Sequence, residues 1–461
     1  MTQQDGVEHT PLKRVMGPKL LLLFIVGDIL GTGIYALTGE VAAEVGGAAW
    51  LPFLVAFGVA LLTAFSYLEL VTKYPKAAGA ALYVHKAFGV HFITFIVCFT
   101  VMCSGLTSAA TASRAFSANL FVAVGVDAGA GLVTLGALGF MLLVMLVNFR
   151  GASESVKTNV VLTLIELSGL LLVILVGIYA ISGGQADFSR VVAFDTPEDK
   201  SVFLAVTSAT ALAFFAMVGF EDSVNMAEET HDPSRIFPKI MLTGLGITAF
   251  IYVLVSICAV ALVPVGELAA SSTPLVLVVE RGAPGLPVGA LMPIISMFAV
   301  ANSALINMMM ASRLLYGMAR QGVLPHFLSH VHSTTQTPWS AILFTTALAL
   351  GLIVFVSNVS SQAVSVLGGT TALLLLGVFA FVNAAVLVLR RDRVAHEHFK
   401  INRLFPCLGV LVCLFLVTPW TGRDPFQYEV AGWLLALGVV MWGVTLITHR
   451  RRARLDPGRL E

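Results

Sequence analysis

Apolar runs of 18 or more residues recur along this chain from Lys19 to the start of its basic C-terminal tail. Each is long enough to cross a roughly 30 Å hydrocarbon core as a helix. At roughly 150 residues per domain, 461 residues would otherwise suggest two or three soluble domains. Composition overrules that reading: 57% of residues are hydrophobic and 11% charged, against about 45–50% and about 25% in a soluble protein. A soluble enzyme, a disordered scaffold and a disulfide-stapled secreted module are excluded. The expected fold is all-α, a polytopic membrane protein.

Hydropathy places spans near 19–44, 49–72, 91–121, 131–149, 157–181 and 201–227. Six more follow near 239–263, 286–318, 338–356, 362–389, 404–420 and 429–448. Twelve spans put both termini on one side. Along that alternation, 22 of the 27 lysines and arginines fall in the tails and even-numbered connections. Only Arg114, Arg190, Lys200, Arg281 and Arg423 fall on the other side. Positive charge stays cytoplasmic, so both termini are expected there. The polar first 18 residues lack the apolar core of a cleaved signal, and the first span is expected to direct its own insertion. The five cysteines lie in apolar runs and read as small buried hydrophobes. Net charge is +1 and no basic-aromatic patch is present, so nucleic acid is not an expected partner.

Two spans are interrupted. The first carries Gly27, Gly31 and Gly33 at mid-membrane, and the sixth carries Gly219 followed at once by Glu221 and Asp222. Glycine costs a helix about 1 kcal/mol relative to alanine. It also serves close packing in membranes, but interrupted segments at matching places in two halves point to an inverted-repeat transporter. Here they open two five-span units, 19–180 and 201–389, between a tail at 1–18 and the last two spans at 404–448, with a basic tail at 449–461. Unwound backbone in lipid leaves N–H and C=O groups unpaired unless a cavity or ligand satisfies them. A helix restarted after a break offers N–H groups to a carboxylate, and the half before it offers carbonyls to an ammonium or metal cation. A zwitterionic amino acid carries both charges a few ångströms apart.

GDILGTGIYALTGEVA in span 1, KYPKAAGAALYVHKAFG after span 2 and NFRGASESVKTN before span 5 resemble the amino acid–polyamine–organocation superfamily. So do FFAMVGFEDSVNMAEETHDPSRIFPK at span 6 and SRLLYGMARQGVLPHFLSHVHSTTQTP at span 8. The five strings cover about 19 to 340 in the family's order, and the detail of LTGEVA and of the span 8 exit is closest to the cationic amino acid transporter branch. The resemblance implies a five-plus-five inverted repeat with broken helices 1 and 6, plus two C-terminal helices. It implies that Gly31, Thr32, Gly33 and Ile34 form a carboxylate-binding loop and that the Ile29 carbonyl faces the substrate ammonium. Phe215 and Val218, just ahead of Gly219, match positions whose carbonyls receive the ammonium, with the Phe215 ring as a gate. Glu221 falls at an acidic position used in coupling or gating. The pattern departs at span 5, where Glu166 stands near the lysine of some proton-coupled relatives, and at Asp28, where many members are neutral.

An ionised carboxylate inside a membrane costs of order 2.5–3.5 kcal/mol. Asp28, Glu166, Glu221 and Asp222 therefore read either as groups that titrate during transport or as paired acids that hold helices in place, with Glu221 first among the functional candidates. Asp28 and Glu166 are expected to share a cation or proton site between spans 1, 5 and 8. Cys103 and Ser104 in span 3 and Asn307 in span 8 are the polar candidates for side-chain selectivity. His326, His330 and His332 share a spacing that suits metal, but no carboxylate or cysteine completes the set, and no metal site is expected. No nucleotide-binding motif is present, and no resident cofactor is expected.

The expectation is a secondary active amino acid transporter working by alternating access, as a proton symporter or an exchanger, with sodium behind a proton as coupling ion. A polyamine or organocation carrier of the same fold, a non-transporting nutrient sensor and a membrane-embedded enzyme are the alternatives, the last lacking a nucleophile–base pair. The expected partners are an amino acid and the lipid bilayer of the plasma (inner) membrane. Nothing in the sequence fixes an oligomeric state.

Overall fold

The computed structural model describes residues 16–75, 79–150, 156–196, 200–227, 229–287 and 289–448. The tails 1–15 and 449–461, with the arginines from Arg450 to Arg459, lie outside them, as do Lys76 and Glu228. The described residues are nearly all helical, with two isolated bridges and no strand.

The first crossing is split into α1 (Pro18–Ile29) and α2 (Thr32–Val45). It is followed by α3 (Trp50–Lys73), the short α4 (Gly79–Phe88), α5 (His91–Ala123), α6 (Ala130–Phe149) and α7 (Val156–Ser182). The sixth crossing starts as α8 (Val202–Ala213) and is finished by 3-10 turns. Beyond it come α9 (Pro233–Leu262), the short α10 (Val265–Ala270) and α11 (Pro274–Gly282), then α12 (Leu291–Arg320). The chain closes with α13 (Trp339–Val359), α14 (Ala363–Leu389), α15 (Leu404–Val417) and α16 (Pro425–Thr448).

Among the described residues, eleven crossings are long and apolar enough to span a membrane. The expected eleventh span, 404–420, is the exception. Its helix α15 has 14 residues before a 3-10 turn at Pro419–Thr421, short of the roughly 20 a crossing needs. Hydropathy also missed α4, α10 and α11, whose short amphipathic stretches carry no membrane-length run. Of the cysteines, Cys407 is exposed, unlike the buried four.

Helices in lipid associate through close packing and interhelical hydrogen bonds. At Gly27 a Cβ would stand 1.8 Å from Thr163 Oγ1, so only glycine lets α1 lie this close to α7. Asn383 of α14 is a polar knot: its Oδ1 accepts from Ser66 Oγ of α3 at 2.6 Å, and its Nδ2 donates to Thr63 Oγ1 at 3.1 Å. At one end of α3, Glu69 receives a two-pronged bond from Arg390, at 2.7 and 2.5 Å, and the same guanidinium donates to the Ile401 carbonyl. That pair fixes the 390–403 connector to α3. At the opposite end Arg423, read from sequence as a loop charge, is buried. It donates to the carbonyls of Leu416, Gly369 and Ala211 and to Gln427 Oε1, tying α8, α14, α15 and α16 together.

Candidate functional site

The site is built from the two breaks. α1 stops at Ile29, Leu30 turns out of helical geometry with ψ 66°, and α2 restarts at Thr32 after Gly31. Among the described residues no side chain caps the first turn of α2, so its leading N–H groups keep their hydrogen-bonding capacity and the positive end of the helix dipole. In the sixth crossing, α8 tightens into a 3-10 turn at Phe214–Met217, Val218 is extended, and Gly219 takes φ 125°. Past Gly219 the chain does not resume as the α-helical second half expected there; it forms a five-residue 3-10 turn, Asp222–Met226.

The breaks touch backbone to backbone. A Cβ on Gly219 would stand 2.6 Å from the Asp28 carbonyl oxygen, and one on Gly33 would stand 2.4 Å from the Ala216 Cα. Both are closer than a side-chain carbon tolerates, and the φ of Gly219 is one that L-residues avoid.

Around this contact lies a cavity that collects most of the residues singled out from sequence. Asp28, Ile29, Gly31, Thr32 and Gly33 line it from the first break. Phe215, Val218, Gly219, Glu221 and Asp222 line it from the sixth crossing, Ser104 from α5 and Asn307 from α12. Three expected residues do not line it. Ile34 is fully buried in α2. Cys103 is fully buried, because one residue along α5 turns a side chain by about 100° from Ser104. Glu166 is fully buried away from the cavity.

Sequence reasoning missed Ser108, Ser303, Met310 and Thr371, which also line the cavity. Ser303, Asn307, Met310 and Leu314 recur at three- and four-residue spacing along α12, and that helical stripe was a usable signal. Asn307 Nδ2 donates to Ser108 Oγ at 3.3 Å and to the Ser303 carbonyl at 2.8 Å, while Thr371 Oγ1 pairs with Thr107 Oγ1 at 2.7 Å. Thr32 Oγ1, at the cavity wall, is buried with no hydrogen-bond partner among the described residues.

Glu221 is 8% exposed, and its Oε2 accepts the Gly219 N–H at 2.8 Å. The carboxylate thus holds the backbone of its own break. No basic side chain pairs with Glu221 or Asp222 among the described residues. Asp28 joins them on the cavity wall, so three carboxylates surround one small space.

Glu166 belongs to a neighbouring cluster instead. Its Oε1 accepts from Asn302 Nδ2 at 3.2 Å, and its carbonyl accepts from the Tyr35 hydroxyl at 2.6 Å. Close by, the Tyr252 hydroxyl donates to the Ile29 carbonyl at 2.6 Å. The Gly31 N–H donates to the same oxygen at 2.8 Å. The carbonyl expected to face a substrate ammonium is therefore already hydrogen-bonded twice. Asp28 and Glu166, expected together, stand in different surroundings, one on the cavity wall and one outside it. His326, His330 and His332 are exposed on the connector after α12.

The family described as amino acid permease matches residues 18–444. The branched-chain amino acid permease BcaP of Bacillus subtilis is 27% identical, over 96% of this chain and 95% of that protein. The chloroplastic cationic amino acid transporter 9 of Arabidopsis thaliana is 28% identical, over 72% of this chain and 60% of that protein. Among solved structures, a mutant of the manganese transporter of Eremococcus coleocola shares the fold, with a TM-score of 0.61 at 14% identity, covering 96% of this chain and 98% of that one.

Proposed function

The chain belongs to the amino acid permease family, and from that premise we propose that it carries an amino acid by alternating access around the cavity at its two breaks. The observation that carries this reading is the uncapped start of α2 opening at a cavity that the second break also lines. The N–H groups of Thr32 and Gly33 receive the α-carboxylate, with Gly31 as the turn that presents them and the Thr32 hydroxyl as a further donor. The carbonyls of Phe215 and Val218 and the nearby carboxylates receive the α-ammonium. Ile34 supports the carboxylate loop from within α2. The Phe215 ring covers the bound molecule. Ser104 and Asn307 meet the side chain, and Cys103 shapes that wall from behind.

Coupling is assigned to a proton or to exchange, with Glu221 as the group that changes state. Its bond to the Gly219 N–H links its charge to the shape of the break, so protonation and substrate binding act on one segment. Asp222 and Asp28 share the field, and Glu166 acts at a distance from its own cluster with Asn302 and Tyr35. The positive-inside pattern supports a cytoplasmic position for both termini, and we assign the protein to the plasma membrane on that reading.

Three carboxylates at one cavity favour a second reading, a carrier of polyamines or other organic cations. Counterflow in proteoliposomes separates the two. If both ends of the amino acid are read, neither its methyl ester nor its N-acetyl derivative competes with the parent molecule. If the ester or a polyamine competes as well as the amino acid, the carboxylate loop is not a binding element and the organocation reading stands.

A further inference from the structure

On the outer face of the bundle, α6 and α13 enclose a groove of about 700 Å³. Leu138 and Leu142 of α6 and Leu350, Val354 and Phe355 of α13 wall it, with Asn358 as its polar residue. α5 packs behind both helices, and from it Arg114 reaches between them. Its Nη1 donates to Thr134 Oγ1 of α6 at 3.0 Å and to Ser357 Oγ of α13. Thr134 lies one helical turn before Leu138 and Ser357 adjoins Asn358, so the guanidinium, which does not itself line the groove, bridges α6 and α13 beside one end of it. Thr134 is near the start of α6 and Ser357 near the end of α13. That end of the groove is therefore at the level where a membrane gives way to headgroups.

Arg114 is 9% exposed and has no carboxylate partner among the described residues. Its Nε has no hydrogen-bond partner there, and the two neutral hydroxyls are its only side-chain partners among the described residues. A cation held this way calls for an anion. We propose that this groove binds an anionic phospholipid, with an acyl chain lying between α6 and α13 and the headgroup phosphate on Arg114. The bilayer supplies the apolar chain to any such surface, and the guanidinium adds headgroup choice. Arginine bonds phosphate through paired N–H groups, and a lipid with net negative charge keeps a charge that a zwitterionic headgroup cancels internally.

Native mass spectrometry of the full-length protein, titrated with phosphatidylglycerol and with phosphatidylcholine of identical chains, tests the assignment. The wild type is expected to retain phosphatidylglycerol severalfold better. In Arg114→Gln that ratio falls to near one while some binding of both lipids persists. Gly351→Phe lowers binding of both, because Gly351 lines the groove and a Cβ there meets nothing within 4 Å, so the ring extends from open space into the groove. Equal retention of the two lipids by the wild type would overturn the proposal. So would an unchanged ratio in Arg114→Gln or, should that variant not fold, unchanged retention in Gly351→Phe.

Discussion

Gly219 and Asp28 join the two interrupted helices: the glycine's α-carbon faces the aspartate's carbonyl oxygen so closely that a methyl group there would lie 2.6 Å from it. The cavity lined by both breaks is built around that contact.

Gly219→Ala adds a clash to a φ of 125° that alanine resists. The variant is expected to insert and run as a folded species in size-exclusion chromatography while losing most substrate uptake. Wild-type uptake by Gly219→Ala would show that the backbone contact does not shape the site.

Glu221→Gln and Glu221→Ala should behave differently. The glutamine amide oxygen still accepts the Gly219 N–H, so the break keeps its shape and exchange persists while gradient-driven accumulation is lost. Alanine removes the acceptor as well, and both activities fall. Counterflow and gradient-driven uptake, measured side by side in proteoliposomes, check this split; equal behaviour of the two variants would count against it.

The Glu69–Arg390 pair is buried, with side chains 3% and 17% exposed. Removing one partner strands the other charge, at a cost of about 3–5 kcal/mol. Thermal unfolding in detergent should show Glu69→Ala and Arg390→Ala each strongly destabilised, and the double variant much less than their sum. Additive losses would mean that the two residues act separately.

Asn383→Ala leaves the hydroxyls of Ser66 and Thr63 without their shared partner. The expected loss is about 1–3 kcal/mol, read as a lower unfolding temperature with substrate affinity unchanged. A drop in affinity at full stability would place Asn383 in the transport cycle instead.

Much of this architecture is legible in the sequence because the bilayer enforces it. Apolar runs of membrane length locate eleven crossings, and mid-membrane glycines beside Glu221 and Asp222 locate both breaks. Other features depend on three-dimensional context that hydropathy does not encode. Arg423 reads as a loop charge, yet the ends of α8, α14 and α15 supply it with carbonyls. Ser108, Ser303 and Thr371 look like any small polar residue in a membrane helix, since a hydroxyl there can return to its own backbone; only packing shows that they face the cavity. Cys103 and Ser104 differ by one residue, and the helix phase that separates them is set by neighbours. Glu166 reads from sequence as a buried acid, and it is one, but its partner Asn302 is 136 positions away along the chain.

The most direct test of the central claim is uptake by purified protein in liposomes, using a panel of labelled amino acids under an imposed inward proton gradient, with and without sodium. The account predicts saturable uptake of at least one amino acid by the wild type and its loss in Gly219→Ala. Folded wild-type protein that neither accumulates nor exchanges any amino acid would contradict it.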